Sequence, residues 1–412
     1  MSIIKLPQLA WFGIKEQEFR LPDQWQIEMC NMAGADKVPL KPADIQAALT
    51  EPIATKPLRE LARGKKEVVI IFDDMSRVTR TYQIVPFVLR ELAEAGINDQ
   101  HIRFICALGC HGALTRLDFV KKLGEDVLAR FPVYNHNPFG KCVTVGKTKT
   151  YQTEVFVNEE VMQCDLKIAI GGVVPHPMSG FGGGGKIILP GVTSFATTQN
   201  NHRSTYQAMF TQRGKLGQGI FDENTMRFDV EEAAELAGLD FIVNVLFNRN
   251  GESAGIFAGA LKPAYAAAVT ASKAHYLTSR VQDKDIAIAN SYIKGNEAFI
   301  GLSIAYSAIS KNGGDVVLIA NEPSGQVTHY LLGPFGENSF GPLHQRSGIP
   351  PNIKKVIVFT EYPDLAGRGW FAKSEKIMFI NKWSDVLKVL ADDYPATATV
   401  AVFPNSEIQY VS

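Results

Sequence analysis

The sequence predicts an α/β protein of two domains with mainly parallel sheets and an active site in the interdomain cleft. Three observations carry the fold class. Short β-branched apolar runs alternate with longer amphipathic segments. The alternation pauses at an alanine-rich stretch, residues 261–281, and then restarts. The 412 residues also exceed one ordinary core, the usual domain holding roughly 100–200.

In chain order, "VVIIF" (68–72) reads as a buried strand and "YQIVPFVLRELAEAG" (82–96) as a helix closed by glycine. "IRFICALG" (102–109) is the next strand, and "TRLDFVKKLGEDVLARF" (115–131) the next helix, with Thr115 and Asp118 at capping positions. "LKIAIGGVV" (166–174) is a third strand, and "FIVNVLF" (241–247) and "AGIFAG" (254–259) make a hairpin around "NRNGES". After the alanine-rich helix come strands at 285–291, 315–321, 354–360, 376–380 and 397–404, with helices near 296–311 and at 384–393. These runs divide the chain into an N-terminal domain, 1–275, and a C-terminal domain, 276–412. A Gly- and Pro-rich loop spans 324–352, and loops of that length usually serve a function.

Lysine plus arginine and aspartate plus glutamate both total 42, so the chain lacks the basic excess of a nucleic-acid or anionic-membrane binder. The five cysteines, Cys30, Cys106, Cys110, Cys142 and Cys164, form no C-x-x-C and read as reduced thiols of a cytoplasmic protein. The N-terminal "MSIIKLPQLAWFGIKEQ" is broken by Lys5 and Pro7 and does not read as a signal peptide. No stretch approaches the roughly 20 apolar residues that span a bilayer.

Four clusters carry chemistry. "DDMSRVTR" (73–80) follows a strand directly, and open α/β sheets bind ligands beyond the carboxyl ends of their strands. Arg77 there suits a carboxylate or phosphate, although a solvated loop with local ion pairs has the same composition. "ALGCHGALTR" places His111 past the next strand, and imidazole suits proton transfer near neutrality. A lone histidine is more often structural. "HPMSGFGGGGKIILPG" (176–191) contains G-x-x-x-x-G-K at Gly180–Lys186, the start of a phosphate loop. That reading fails because Ile187 stands where Ser or Thr would bind magnesium, and Pro190-Gly191 breaks the helix that would face the phosphates. The glycines let the backbone come close to a ligand and leave Lys186 the main reactive side chain. "TTQNNHRSTY" (197–206) offers His202, a surface residue or one ligand of a metal held mainly by something else. The other histidines, His101, His136, His275, His329 and His344, carry no motif, and H-E-x-x-H is not present.

Taken together, Asp74 and Arg77 of "DDMSR", His111 of "GCHGALT", His176 and Lys186 of "HPMSGFGGGGK" and His202 of "NNH" resemble the nickel-pincer lactate racemase family. The resemblance covers residues 60–210. It implies a pyridinium-3,5-bisthiocarboxylic acid mononucleotide nickel complex, the nickel-pincer nucleotide, attached covalently to Lys186. It implies further that His202 is the sole protein ligand of nickel and that His111 and His176 are the acid/base pair. Asp74 and Ser179 would help hold the cofactor, and Arg77 the substrate carboxylate. The implied partners are a small 2-hydroxy acid and, during maturation, the cofactor-assembly enzymes. The implied reaction inverts C2 by hydride transfer to the cofactor and back, while a base takes the hydroxyl proton. Two enantiomers present that hydroxyl from opposite sides, which calls for two bases.

The departures concern the substrate. Where lactate-specific members offer a Gln and a Lys, this chain aligns Ile300 and Ser303, with Lys294 opening the turn and Asn296 and Glu297 nearby. The expected substrate is therefore not lactate but a longer, hydroxyl-rich acid such as an aldonate. Trp370 is expected either to face the cleft or to pack at a domain seam. Two alternatives stay open: a phosphoryl-transfer enzyme using the glycine loop, and a non-enzymatic two-lobed protein that closes over a small acid.

Overall fold

The computed structural model describes residues 1–340 and 348–411, side chains excepted at 338–340; His344 lies outside the described residues. The chain divides into two compact units, one of residues 37–248 and 252–273, the other of residues 1–36, 249–251 and 274 onward. Residues 1–36 thus depart from the expected N-terminal domain of 1–275. The reason is pairing: Gln26–Met29 adds a parallel strand beside Thr399–Phe403, and Phe19 and Leu21 enter the core of that sheet.

In the larger unit one six-stranded sheet runs in the order Ser253–Gly259, Phe241–Phe247, Leu166–Gly172, Val68–Asp73, Ile102–Ala107, Val133–Asn135. All neighbours pair in parallel except the Ser253–Gly259 edge, which forms the expected hairpin with Phe241–Phe247. Counted along the chain the strand order is 3-2-1-4-5-6, a doubly wound sheet. Central strands covered on both faces must be apolar on both, and Val68, Val69, Ile70, Ile71 and Phe72 are each 0% exposed.

The other unit holds a six-stranded sheet, Ile377–Ile380, Ile353–Phe359, Gly314–Ile319, Ile286–Asn290, Thr399–Phe403, Gln26–Met29, parallel throughout. Side chains alternate between its two faces: Ile286 and Ile288 enter one core, Ala287 and Ala289 the other. The antiparallel pair Ser2–Gln8 and Lys15–Leu21, which no alternation in the sequence announced, closes the first of these cores.

The local signals behave as their chemistry requires. Thr115 caps helix Arg116–Leu123 by accepting from the Asp118 N–H, while the Asp118 carboxylate accepts from the Thr115 N–H at 2.9 Å. His136 is structural: its Nε2 sits 2.9 Å from the Thr193 carbonyl, and burial pulls its pKa down to about 4. Among the described residues no helix is long and apolar enough to cross a membrane.

Candidate active site

In the larger sheet the chain winds outward one way from Val68–Asp73 and the other way from Leu166–Gly172. The loops leaving these neighbouring strands must diverge, and the crevice they open is where doubly wound sheets bind ligands. Asp74, Arg77, His176 and Lys186 all leave from these two carboxyl ends, and His111 leaves from the adjacent Ile102–Ala107.

The 73–77 turn is built around two carboxylates. Asp73 accepts from the Lys122 ammonium at 2.6 Å, from Thr79 Oγ1 at 2.6 Å and from the Gly172 N–H at 2.8 Å. Lys122 is fully buried and also donates to the carbonyls of Asp74 and Arg77, both at 3.1 Å. The turn is thereby fixed to the neighbouring strand, and Asp74 is aimed outward. Asp74 Oδ1 accepts from the Ser76 N–H at 3.0 Å and the Ser76 hydroxyl at 2.5 Å; Oδ2 lies 2.5 Å from His111 Nδ1. Burial pushes the Asp74 carboxyl up, but His111 and Arg77 outweigh it and hold it down at about 2. An ionised carboxylate at Nδ1 keeps the ring proton there, so His111 presents the lone pair of Nε2. Arg77 donates from Nη1 to the Ser76 carbonyl at 2.8 Å and hydroxyl at 2.9 Å, and its Nε lies beside Gly182 of the glycine loop.

That loop is not a phosphate cradle. Lys186 sits in a 3₁₀ turn, Gly184–Ile187, and the next α-helix, Phe195–Thr211, begins only after Ser194. Nor do the glycines mainly bring the backbone close to a ligand, as the sequence suggests. Gly180 has φ +75°, and a Cβ there would lie 2.0 Å from the Ile220 carbonyl oxygen; Gly184 has φ +57°, and its Cβ would lie 2.6 Å from the Tyr265 ring. These positions are glycine because the loop lies flat on the protein's own backbone and aromatic side chain.

His176 and Lys186 meet across the loop, Nε2 to Nζ 3.2 Å. His176 Nδ1 accepts from the N–H groups of Met178 and Ser179, both at 3.2 Å. An accepting Nδ1 leaves the ring proton on Nε2, the reverse of His111, and makes the Lys186 nitrogen the acceptor of their 3.2 Å contact, as a neutral amine. Ser179 is fully buried and donates its hydroxyl to the Phe181 carbonyl at 3.0 Å, which shapes the turn. His202 is on the buried face of helix Phe195–Thr211, whose N-terminus is capped by Ser194. Its Nδ1 lies 2.9 Å from the Thr198 carbonyl, so Nδ1 donates and Nε2 keeps its lone pair. Burial first, then Lys186 and His111 nearby, pulls this imidazole down to about 3. Cys110 ties the two parts together, its thiol lying against Thr198; burial pushes that thiol up to about 12, so it is neutral and inert.

Lys294, Asn296 and Glu297 belong to the other unit, just beyond Ile286–Asn290 at that sheet's own point of divergence. Lys294 is 1% exposed and ion-paired to Glu297 at 2.7 Å. The N–H groups of Tyr292 and Lys294 donate to Glu407 Oε1 at 2.9 and 2.8 Å. Asn296 Oδ1 is buried without a hydrogen-bond partner. Trp370 packs: it stacks on Phe299 at 4.7 Å and donates its indole N–H to the Val327 carbonyl at 2.7 Å. His329, of the long loop, accepts from the N–H groups of Leu331 and Leu332 and serves its own turn.

Several residues that matter here carry no motif. Lys122 lies at i+3 from Phe119, on the face the helix buries, and Arg227 and Glu231 lie beside Met226 and Val230 on helix Thr225–Leu236. A charge on an otherwise apolar helical face is the signal that finds them.

Fold and site together define a two-unit, doubly wound α/β protein with an imidazole–carboxylate and an imidazole–amine pair at the switch point of its larger sheet. The family profile of the lactate racemase N-terminal domain matches residues 12–212. The chain is 30% identical over 292 residues to the lactate racemase of Lactiplantibacillus plantarum, covering 68% of this chain and 66% of that one. It is 31% identical over 263 residues to the lactate racemase of Thermoanaerobacterium thermosaccharolyticum, covering 63% and 59%. Its fold matches the lactate racemase apoprotein of the latter organism over 100% of both chains, with TM-score 0.76 and 22% identity. A crystal structure of a Thermotoga maritima protein matches at TM-score 0.67 and 18% identity, over 91% and 99%. The chain belongs to the lactate racemase family.

Proposed function

We propose that this protein is an isomerase that inverts C2 of a 2-hydroxy acid, a racemase or epimerase, using a nickel-pincer nucleotide. The observation that carries the reading is the opposite setting of two histidines at one switch point. His111 offers a lone pair at Nε2, fixed by Asp74; His176 offers an N–H at Nε2, fixed by the Met178 and Ser179 amides. Inversion at a carbinol carbon removes a hydroxyl proton on one side and returns one on the other; His111 is set to take the proton, and His176 to hydrogen-bond the oxygen and to give a proton only once its ring is protonated at Nδ1 as well.

The residues present fit the cofactor. His202 is held neutral with its Nδ1 proton spent on a carbonyl, the state in which Nε2 ligates a metal. Lys186 brings an amine to the same end of the sheet, where its Nζ meets His176 at 3.2 Å. Among the described residues no group of three His, Cys, Asp or Glu side chains is disposed to hold a metal ion, so the remaining ligands would come from the nucleotide. Asp74 would support the site through His111, and Ser179 through the turn it closes. When bound, the group supplies a reversible two-electron acceptor for the C2 hydrogen.

The chain's own residues do the rest. Arg77 binds the substrate carboxylate. His111 takes the hydroxyl proton and Asp74 stabilises the imidazolium that results. For His176 to give or take a proton at Nε2 in either direction, its Nδ1 must release the two amides of residues 178 and 179 or its ring must turn over, because the ring as set would otherwise become an imidazolate. The substrate we propose is longer and more hydroxylated than lactate, an aldonate. What supports this is the sequence, where Ile300 and Ser303 align with the Gln and Lys of lactate-specific members. Five free cysteines support a cytoplasmic location.

Two variants test the cofactor assignment. Protein produced beside the cofactor-assembly enzymes is expected to show an adduct by intact mass that Lys186→Ala lacks. His202→Ala is expected to lose nickel by elemental analysis while it keeps the fold. No lysine-dependent adduct together with no nickel in the wild type would contradict the proposal.

A further inference from the structure

Helix Thr225–Leu236 puts two charged side chains on its buried face, among Met226, Val230, Ala233 and Ala234. Arg227 is 1% exposed and Glu231 8%, and they pair at 2.9 Å, one turn apart. Both reach past each other to the backbone of the glycine loop. Arg227 donates to the Phe181 carbonyl, and at 3.2 Å to the Gly183 carbonyl. Glu231 Oε1 accepts from the Gly185 N–H at 3.1 Å. Tyr265 lies under the guanidinium, 4.5 Å from its ring centre, and donates its hydroxyl to the same Phe181 carbonyl at 3.2 Å. Asn244 Oδ1 accepts from the Gly184 N–H at 3.1 Å. The loop is thus held by side chains at 181, 183, 184 and 185, and the next residue is Lys186.

Stability alone does not account for this pair. Arg227 Nε and Glu231 Oε2 are buried without a hydrogen-bond partner. A buried ion pair that leaves a donor and an acceptor unsatisfied fills a core no better than apolar side chains of similar volume. What it adds is direction: the guanidinium fork fixes two carbonyls and the carboxylate one amide, in a loop whose glycines give it no stiffness of its own.

We propose that Arg227 and Glu231, braced by Tyr265, are positioning residues that present the Lys186 amine for attachment of the cofactor, a condensation in which Nζ would bond one thiocarboxylic acid carbon, its C–OH bond would break, and the hydroxyl would leave as water with a proton from Nζ; this rests on the function proposed above. The loop backbone then has one conformation, and the 3.2 Å meeting of Lys186 with His176 follows from it.

The test separates stability from presentation with two variants. Arg227→Met/Glu231→Leu removes both charges and fills the same volume. It is expected to keep the thermal midpoint of the wild type within a few degrees, yet to lower the lysine-dependent adduct, read by intact mass after production beside the cofactor-assembly enzymes, by about tenfold or more. Glu231→Gln keeps the acceptor for the Gly185 N–H but strands the Arg227 charge. It is expected to melt earlier and still carry most of the adduct. A purely structural pair predicts that adduct follows the midpoint in both variants, and that result overturns the proposal, as does a double variant with wild-type loading. If the double variant does not fold, Glu231→Gln decides: loading retained despite a lowered midpoint supports the clamp, and loading lost in step with it overturns it. A wild type without adduct overturns the function proposed above and this inference with it, whereas a loaded wild type and an equally loaded double variant overturn this inference alone.

Discussion

Replacing His111 with alanine is expected to slow interconversion of the 2-hydroxy acid by about 10²–10⁴-fold, the usual contribution of a positioned acid or base. The lysine adduct and the nickel should stay, because His111 holds neither in the scheme above. Asp74→Asn is the sharper form of this test. The Ser76 N–H and hydroxyl both donate to Asp74 Oδ1, so an asparagine there keeps its oxygen toward Ser76. Its NH₂ then faces His111 Nδ1 and demands a lone pair from it. The ring proton moves to Nε2, and the base is lost without loss of shape. Asp74→Asn should therefore match His111→Ala in rate, as measured by chiral chromatography, while its far-ultraviolet circular dichroism is unchanged. An Asp74→Asn enzyme within threefold of the wild type would remove Asp74 from the account.

The second large effect falls on stability. Lys122→Met is expected to destabilise the protein by about 3–5 kcal/mol in urea unfolding, the cost of stranding a buried charge. The Lys122 side chain is 0% exposed, and it satisfies the Asp73 carboxylate and two carbonyls of the 73–77 turn at once. Methionine fills the same space but leaves the buried Asp73 side chain without its cationic partner. Asp73→Asn in the same chain should recover part of the loss, since the Thr79 hydroxyl still has an oxygen to bond. A loss below about 1 kcal/mol for Lys122→Met would mean that the turn is solvated and not held as described.

The strands at 68–72, 102–109 and 166–174 were legible because a parallel strand covered on both faces must be a near-continuous apolar run. Their carboxyl ends put Asp74, His111 and His176 on loops that leave three neighbouring strands, and Asp74 and His111 meet there. What remained hidden depends on distance along the chain. The Asp73–Lys122 and Arg227–Gly183 contacts join residues more than forty positions apart, and a lysine or arginine inside a helix reads as solvent-facing. The four-glycine run invites a ligand-centred explanation; the protein's own Val173, Tyr265 and Val230 occupy the space that side chains at 183, 184 and 185 would need. Proximity in sequence puts residues 1–36 in the N-terminal domain, whereas one strand, Gln26–Met29, takes them to the far end of the chain.

The most direct test of the central claim, that the two histidines move a hydroxyl proton and not the C2 hydrogen, uses an acid deuterated at C2. Protein matured beside the cofactor-assembly enzymes is incubated with one enantiomer in ordinary water, across a panel from lactate to aldonates. Chiral chromatography with mass detection then follows the product. The account predicts an inverted product that keeps its deuterium, formed in both directions and lost in His111→Ala. Inverted product carrying solvent hydrogen at C2 would mean that a side chain abstracts that hydrogen as a proton, and would contradict it.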